Sequence, residues 1–152
     1  MRKYIFIGIG GASGSITRAF LESIHIYNYK ENIPLNTLLI NLTGSFLLSL
    51  ILTIALEIWA IDADIRIGIT TGFIGSYTTF STLCKETFKL LEVGDYFSAL
   101  NYLTISTVLG LILSYYGIVV AREVIAKRVG SNNNNNDDTE NITDLNYNSE
   151  VD

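Results

Sequence analysis

The residues of this sequence that invite chemistry are crowded into one otherwise apolar stretch. GFIGSYTTFSTL, residues 72–83, sets Gly72, Gly75 and Ser76 beside Thr78, Thr79, Ser81 and Thr82, with the ring of Phe80 among them, and Gly68, Thr70 and Thr71 come just before. A run so rich in glycine and hydroxyl side chains is a poor straight helix. Within a membrane, backbone that leaves the helix is tolerated only where it is buried in protein or lines a wet cavity. The freed groups can then handle ions: carbonyls at the end of one half-helix attract cations, and amides at the start of the next attract anions. A simple packing kink is the plain alternative and requires no ion.

Three further features share the apolar part of the chain. Asn41, in NLTGSFLLSL, is an amide inside a hydrophobic run, costly unless it finds a partner on another helix or an ion. Arg18 lies near the end of the first apolar run, where it either snorkels to headgroups or draws anions to a vestibule. Tyr102, Ser106 and Gly110 recur at helical spacing and share one face of the last apolar run. Serine and threonine in membrane helices often bond only their own backbone, so this track is weak by itself.

No catalytic set emerges. His25 falls in a polar segment, Cys84 has no base beside it, and a single Cys with a single His excludes a disulfide framework and a multi-Cys/His zinc site within one chain. GIGGASG imitates a dinucleotide-binding turn, yet the strand and the downstream acid that motif requires are missing. Gly10 and Gly14, four apart, fit better as small residues that let membrane helices approach closely.

Elements long enough to position these groups can be read from hydropathy. Crossing a hydrocarbon core takes roughly 20 mostly apolar residues, and four stretches approach that: residues 4–21, 35–59, 65–83 and 96–120. Pro34 suits the first turn of the second, and Trp59 would sit at its interface. The third carries the glycines and hydroxyls, with residues 85–95 following as helix end and loop. A soluble α domain would need amphipathic partners for these segments, and no helix with a broad charged face is available.

The mean hydropathy of +0.35 understates the body, because the last residues are almost wholly polar. Up to Gly130 ten bases face nine acids; beyond it lie Asp137, Asp138, Glu140, Asp144, Glu150 and Asp152 and no base. Residues 1–130 therefore read as the membrane domain, and residues 131–152 as a disordered, acidic, Asn-rich tail. The run before Gly14 has no signal-peptide cleavage pattern and reads as a retained span. Arg2, Lys3, Arg66, Arg122, Lys127 and Arg128 on the side of the termini, against Arg18, Lys30, Lys85 and Lys89 on the other, lean toward cytoplasmic termini.

Taken in order, GGASGSITRAF, NLTGSF, GFIGSYTTFST and the Tyr102, Ser106, Gly110 track resemble the small four-helix fluoride channels of the Fluc, or CrcB, family over residues 4–122. The resemblance implies an all-α membrane protein of four transmembrane helices, the third broken in mid-membrane, in an antiparallel dual-topology dimer. It implies a fluoride-selective passive channel, not an enzyme, that exports fluoride from the cytoplasm across the cell membrane, with a structural sodium ion at the dimer interface. Carried onto this chain, the sodium-binding carbonyls are those of Gly75 and Thr78. The pore residues are Asn41, Phe80, Ser81, Thr82, Tyr102 and Ser106, and the vestibule arginine is Arg18. The implied partners are fluoride, membrane lipid and a second subunit, either identical or paralogous, with no nucleic acid.

Two positions depart from the family pattern. Leu83 stands where a second pore phenylalanine is usual, and Ser76 replaces a glycine. Leu83 motivates the paralogous-partner alternative, because a different subunit could supply the ring. Two other functions compete: a proton-coupled four-helix exporter of small molecules, for which only Glu57 offers a carboxylate, and a non-transporting membrane scaffold.

Overall fold

The computed structural model describes residues 1–23, 34–57 and 62–149, with side chains described up to residue 127. The expectations for His25 and Trp59 fall outside those residues. Helix α1 spans Arg2–Ser23 and α2 spans Leu35–Glu57. The third hydrophobic segment is a succession of short pieces: α3 (Ala63–Ile67), a π-helical turn (Gly68–Ile74), α4 (Gly75–Tyr77) and α5 (Phe80–Glu92). Helix α6 runs Tyr96–Ser149. The described residues are all-helical, without strands.

Local chemistry sets most of these boundaries. Pro34 stands immediately before α2 and its carbonyl accepts from the Leu38 amide at 3.3 Å. Asp62 caps α3, its carboxylate accepting from the Asp64 amide at 2.9 Å. Thr79 caps α5 in the same way, its hydroxyl accepting from the Thr82 amide at 3.2 Å. Gly94, at φ 80°, stops α5 in the left-handed conformation that glycine adopts without cost.

Residues 85–95, expected as helix end and loop, are helix as far as Glu92, so the helical part is longer than a helix end. The reason lies in its pattern. Leu83, Thr87 and Leu90 are buried at helical spacing while Lys85, Lys89 and Glu92 face outward, an amphipathic repeat that packing rewards. The backbone of α6 is helical to Ser149.

Two packing units hold the site. Helix α1 lies against the π-helical turn and α4, and α2 lies along α6. Gly10 and Gly14 make the first contact possible: a Cβ on Gly10 would strike the Gly68 carbonyl, and one on Gly14 the Phe73 carbonyl. The buried cluster of Leu38, Leu42, Leu83, Leu90, Ala99 and Tyr102 joins α2, α5 and α6. Leu83, 8% exposed, is thus a core residue.

The outside is apolar too. Ile5, Ile9, Ile16 and Phe20 on α1 and Leu100, Leu111 and Tyr115 on α6 are exposed, a display that calls for lipid or a partner chain. Residues Leu35–Glu57 and Tyr96–Lys127 are each long and apolar enough to cross a membrane.

Candidate functional site

Between α4 and α5 the chain leaves helical geometry at two residues, Thr78 (φ −77°, ψ 155°) and Thr79 (φ −145°, ψ 112°). An extended residue inside a packed apolar region must find partners for both its backbone polar groups. Asn41 provides them from α2. Its Nδ2 donates to the Thr79 carbonyl at 3.0 Å, and its Oδ1 accepts from the Thr79 amide at 2.8 Å. The costly amide noted in the sequence thus pairs with the interruption as a neighbouring strand would. A second tie lies two residues along α2, where the Thr43 and Tyr77 hydroxyls are 2.8 Å apart. A Cβ on Gly44 would collide with the Thr78 methyl, so glycine is what lets α2 approach this closely.

Around the interruption lies an open cleft of about 260 Å³, lined by Asn41, Ser45, Thr70, Gly75, Thr78, Thr79 and Phe80 among others. Four of the residues singled out in the sequence, Asn41, Gly75, Thr78 and Phe80, therefore meet in one place. Phe80 is 77% exposed and presents its ring outward. The hydroxyls of Thr82 and Ser81 lie 2.9 Å and 3.3 Å from that of Thr79, which adds both to the same polar cluster. Thr79 itself, 5% exposed, is the hub; the sequence marked it only as one of the hydroxyls of the broken span, without a site role.

Helix α4 ends at Tyr77, and the last carbonyls of a helix lack amide partners within it. Hard cations favour such oxygen ligands. Gly75 and Thr78 line the cleft, and their carbonyls are the oxygen ligands that would hold a cation there. Among the described residues no cluster of three or more His, Cys, Asp or Glu side chains offers a metal site of another kind.

Tyr102 and Ser106 lie outside the cleft. Tyr102 is fully buried and its hydroxyl donates to Glu86 Oε2 at 2.8 Å, while the Thr37 hydroxyl donates to Glu86 Oε1 at 2.9 Å. Glu86 is thus a carboxylate held between three helices by two hydroxyls, a group missed in the sequence together with Thr37. Its position between Leu83 and Leu90 on the buried face of α5 was the signal that could have revealed it. The Ser106 hydroxyl oxygen is buried with no hydrogen-bond partner among the described residues. Arg18, in the last turns of α1, pairs with Glu22 at 3.8 Å and is not part of the cleft lining. Glu57 pairs with Arg122 at 3.5 Å at the exposed end of α2.

Comparison with known sequences decides the family. The family model described as "CrcB-like protein, Camphor Resistance (CrcB)" matches residues 5–118. The chain belongs to the CrcB family. Its similarity extends to curated CrcB relatives over most of both chains. It is 43% identical over 120 residues to "Fluoride-specific ion channel FluC 1" of Bacillus anthracis, covering 77% of this chain and 87% of that one. It is 38% identical over 124 residues to "Fluoride-specific ion channel FluC" of Geobacter sulfurreducens, covering 82% of this chain and all of that one. A Bacillus cereus protein of the first name is 41% identical over 132 residues, 85% of this chain and 96% of its own. With its apolar helices, the chain is a membrane protein of this CrcB type.

Proposed function

We propose that this chain is a fluoride-selective passive ion channel of the plasma membrane, relieving the cytoplasm of fluoride. The observation that carries the reading is the cleft at Thr78–Thr79, where Asn41, Phe80 and a cluster of hydroxyls meet around non-helical backbone. Relatives named fluoride-specific ion channels support it.

The chemistry suits a small, tightly hydrated anion. Stripping water from fluoride demands donors, and a fixed positive charge would hold the ion too firmly for passage. The Asn41 amide uses one N–H on the Thr79 carbonyl, and its second N–H, without a partner among the described residues, would face the anion. Ser81 and Thr82 add hydroxyls, and the ring edge of Phe80 carries positive quadrupole. The Tyr102 and Ser106 hydroxyls on α6 extend the polar route, and Arg18 attracts anions to one mouth.

The channel unit is residues 1–130, and residues 131–152 stand outside the conduction path. All four hydrophobic segments cross the bilayer; α1, with 22 residues, would be roughly 33 Å long. The third is broken at Thr78–Thr79 in mid-membrane. Two subunits pair in opposite orientations, and the exposed Phe80 ring reaches across the pair. The partner is a second copy or a paralogous subunit that brings a ring at the position of Leu83. A sodium ion would be held at the interface by the Gly75 and Thr78 carbonyls, supplying positive charge that stabilises the paired breaks.

The exporter reading is weaker, because it relies on a carboxylate open to substrate and proton. Glu57 is paired with Arg122 at a helix end, and both oxygens of Glu86 already accept hydroxyl hydrogen bonds. Efflux from proteoliposomes, followed with a fluoride electrode, tests the proposal. Fluoride release without a proton gradient supports it; release strictly coupled to proton entry supports the exporter. If the purified chain conducts without any second protein, the paralogous-partner variant is removed.

A further inference from the structure

A second pocket, of about 380 Å³, opens where α5 ends and α2 begins, lined among the described residues by Pro34, Glu86, Lys89, Leu90 and Val93. Glu86 joins it to the Thr37 and Tyr102 hydroxyls in the interior. We propose that Lys89 is the charge that makes this mouth passable to an anion, offsetting the Glu86 carboxylate and raising the local fluoride concentration. The inference rests on the fluoride reading of the chain.

A carboxylate on an anion route repels the ion it serves unless a positive charge stands close by. Lys89 lies three residues after Glu86 on the same helix, a spacing that brings side chains together on one face. It is exposed, and it is absent from the ion pairs among the described residues, which join Arg2 to Asp62, Arg18 to Glu22 and Arg122 to Glu57. Its ammonium thus has no ion-pair partner among the described residues. Lys85, although on the same helix, does not line the pocket. Charges that line a cleft with low-dielectric walls focus the field and accelerate entry of the opposite charge.

The signature of such a role is its dependence on salt, since screening length shrinks from about 30 Å at 0.01 M to about 3 Å at 1 M ionic strength. Initial fluoride efflux from proteoliposomes is compared for wild type, Lys89→Gln, Lys89→Arg and Lys85→Gln. At low ionic strength Lys89→Gln should slow efflux by about threefold or more, and the deficit should shrink to near nothing at high ionic strength. Lys89→Arg and Lys85→Gln should match wild type at both. A Lys89→Gln protein that equals wild type at low salt, a deficit that salt does not change, or an equal deficit in Lys85→Gln overturns the proposal. Wild-type vesicles without preference for fluoride over chloride overturn the fluoride reading, and this inference with it.

Discussion

Asn41 grips the Thr79 peptide by both ends, with Nδ2 3.0 Å from the carbonyl oxygen and Oδ1 2.8 Å from the amide nitrogen. One side chain on α2 therefore closes the two backbone hydrogen-bonding positions exposed where α4 gives way to α5. It leaves a single N–H of that amide for anything in the cleft. Under the proposed function, structure and conduction are coupled at this residue, since whatever disturbs the grip also moves the cleft wall.

Asn41→Asp tests that coupling. The carboxylate can still accept from the Thr79 amide, but it meets the Thr79 carbonyl with an acceptor and places negative charge beside the pathway. An unsatisfied buried backbone group costs about 1–3 kcal/mol, so thermal unfolding in detergent should shift downward. Fluoride efflux should fall by more than about tenfold, because the charge opposes the permeating anion.

Phe80→Ile separates the two effects. The ring is 77% exposed within the subunit, so the subunit fold should change by no more than about 0.5 kcal/mol. The polarised ring edge is lost entirely. Fluoride efflux should drop sharply while the protein elutes at its normal size in gel filtration; undiminished efflux would remove Phe80 from the pathway.

Gly14→Val addresses the frame that carries the interruption. Any Cβ at this position runs into the Phe73 backbone, which cannot yield as a flexible side chain would. Overpacking of this kind costs about 1–3 kcal/mol or more. The yield of folded protein should fall, and Gly8→Ala, where nothing lies within 4 Å, should leave it unchanged.

Tyr102→Phe removes only the hydroxyl that donates to Glu86. The ring remains in the buried cluster, so packing is retained, and the carboxylate keeps Thr37 as its single hydroxyl donor of the two. Stability should fall by about 1–2 kcal/mol. Fluoride efflux should fall as well if the proposed route passes the Glu86 centre, because its charge is then less well held.

Local signals in the sequence carried far. Hydropathy delimited α1, α2 and the apolar part of α6, Pro34 marked a start, and the glycines and threonines marked the place where Thr78 and Thr79 leave the helix. Asn41 was recognisable as an amide in need of a partner, although nothing local named Thr79, thirty-eight residues away. The Glu86 centre was not legible, because it unites Thr37, Glu86 and Tyr102 from three helices and residues 85–95 read only as a helix end and loop. Leu83 was marked for its missing ring. Its burial against Leu38, Leu42 and Tyr102 could emerge only once α5 was packed on α2 and α6.

The central claim is fluoride-selective passive conduction, and the most direct measurement is anion efflux from liposomes containing the purified chain, read in parallel with fluoride and chloride electrodes. Rapid fluoride release with chloride retained, lost in Asn41→Asp and Phe80→Ile, is the predicted result. Equal release of both anions, or none of either from liposomes that contain folded protein, would contradict it.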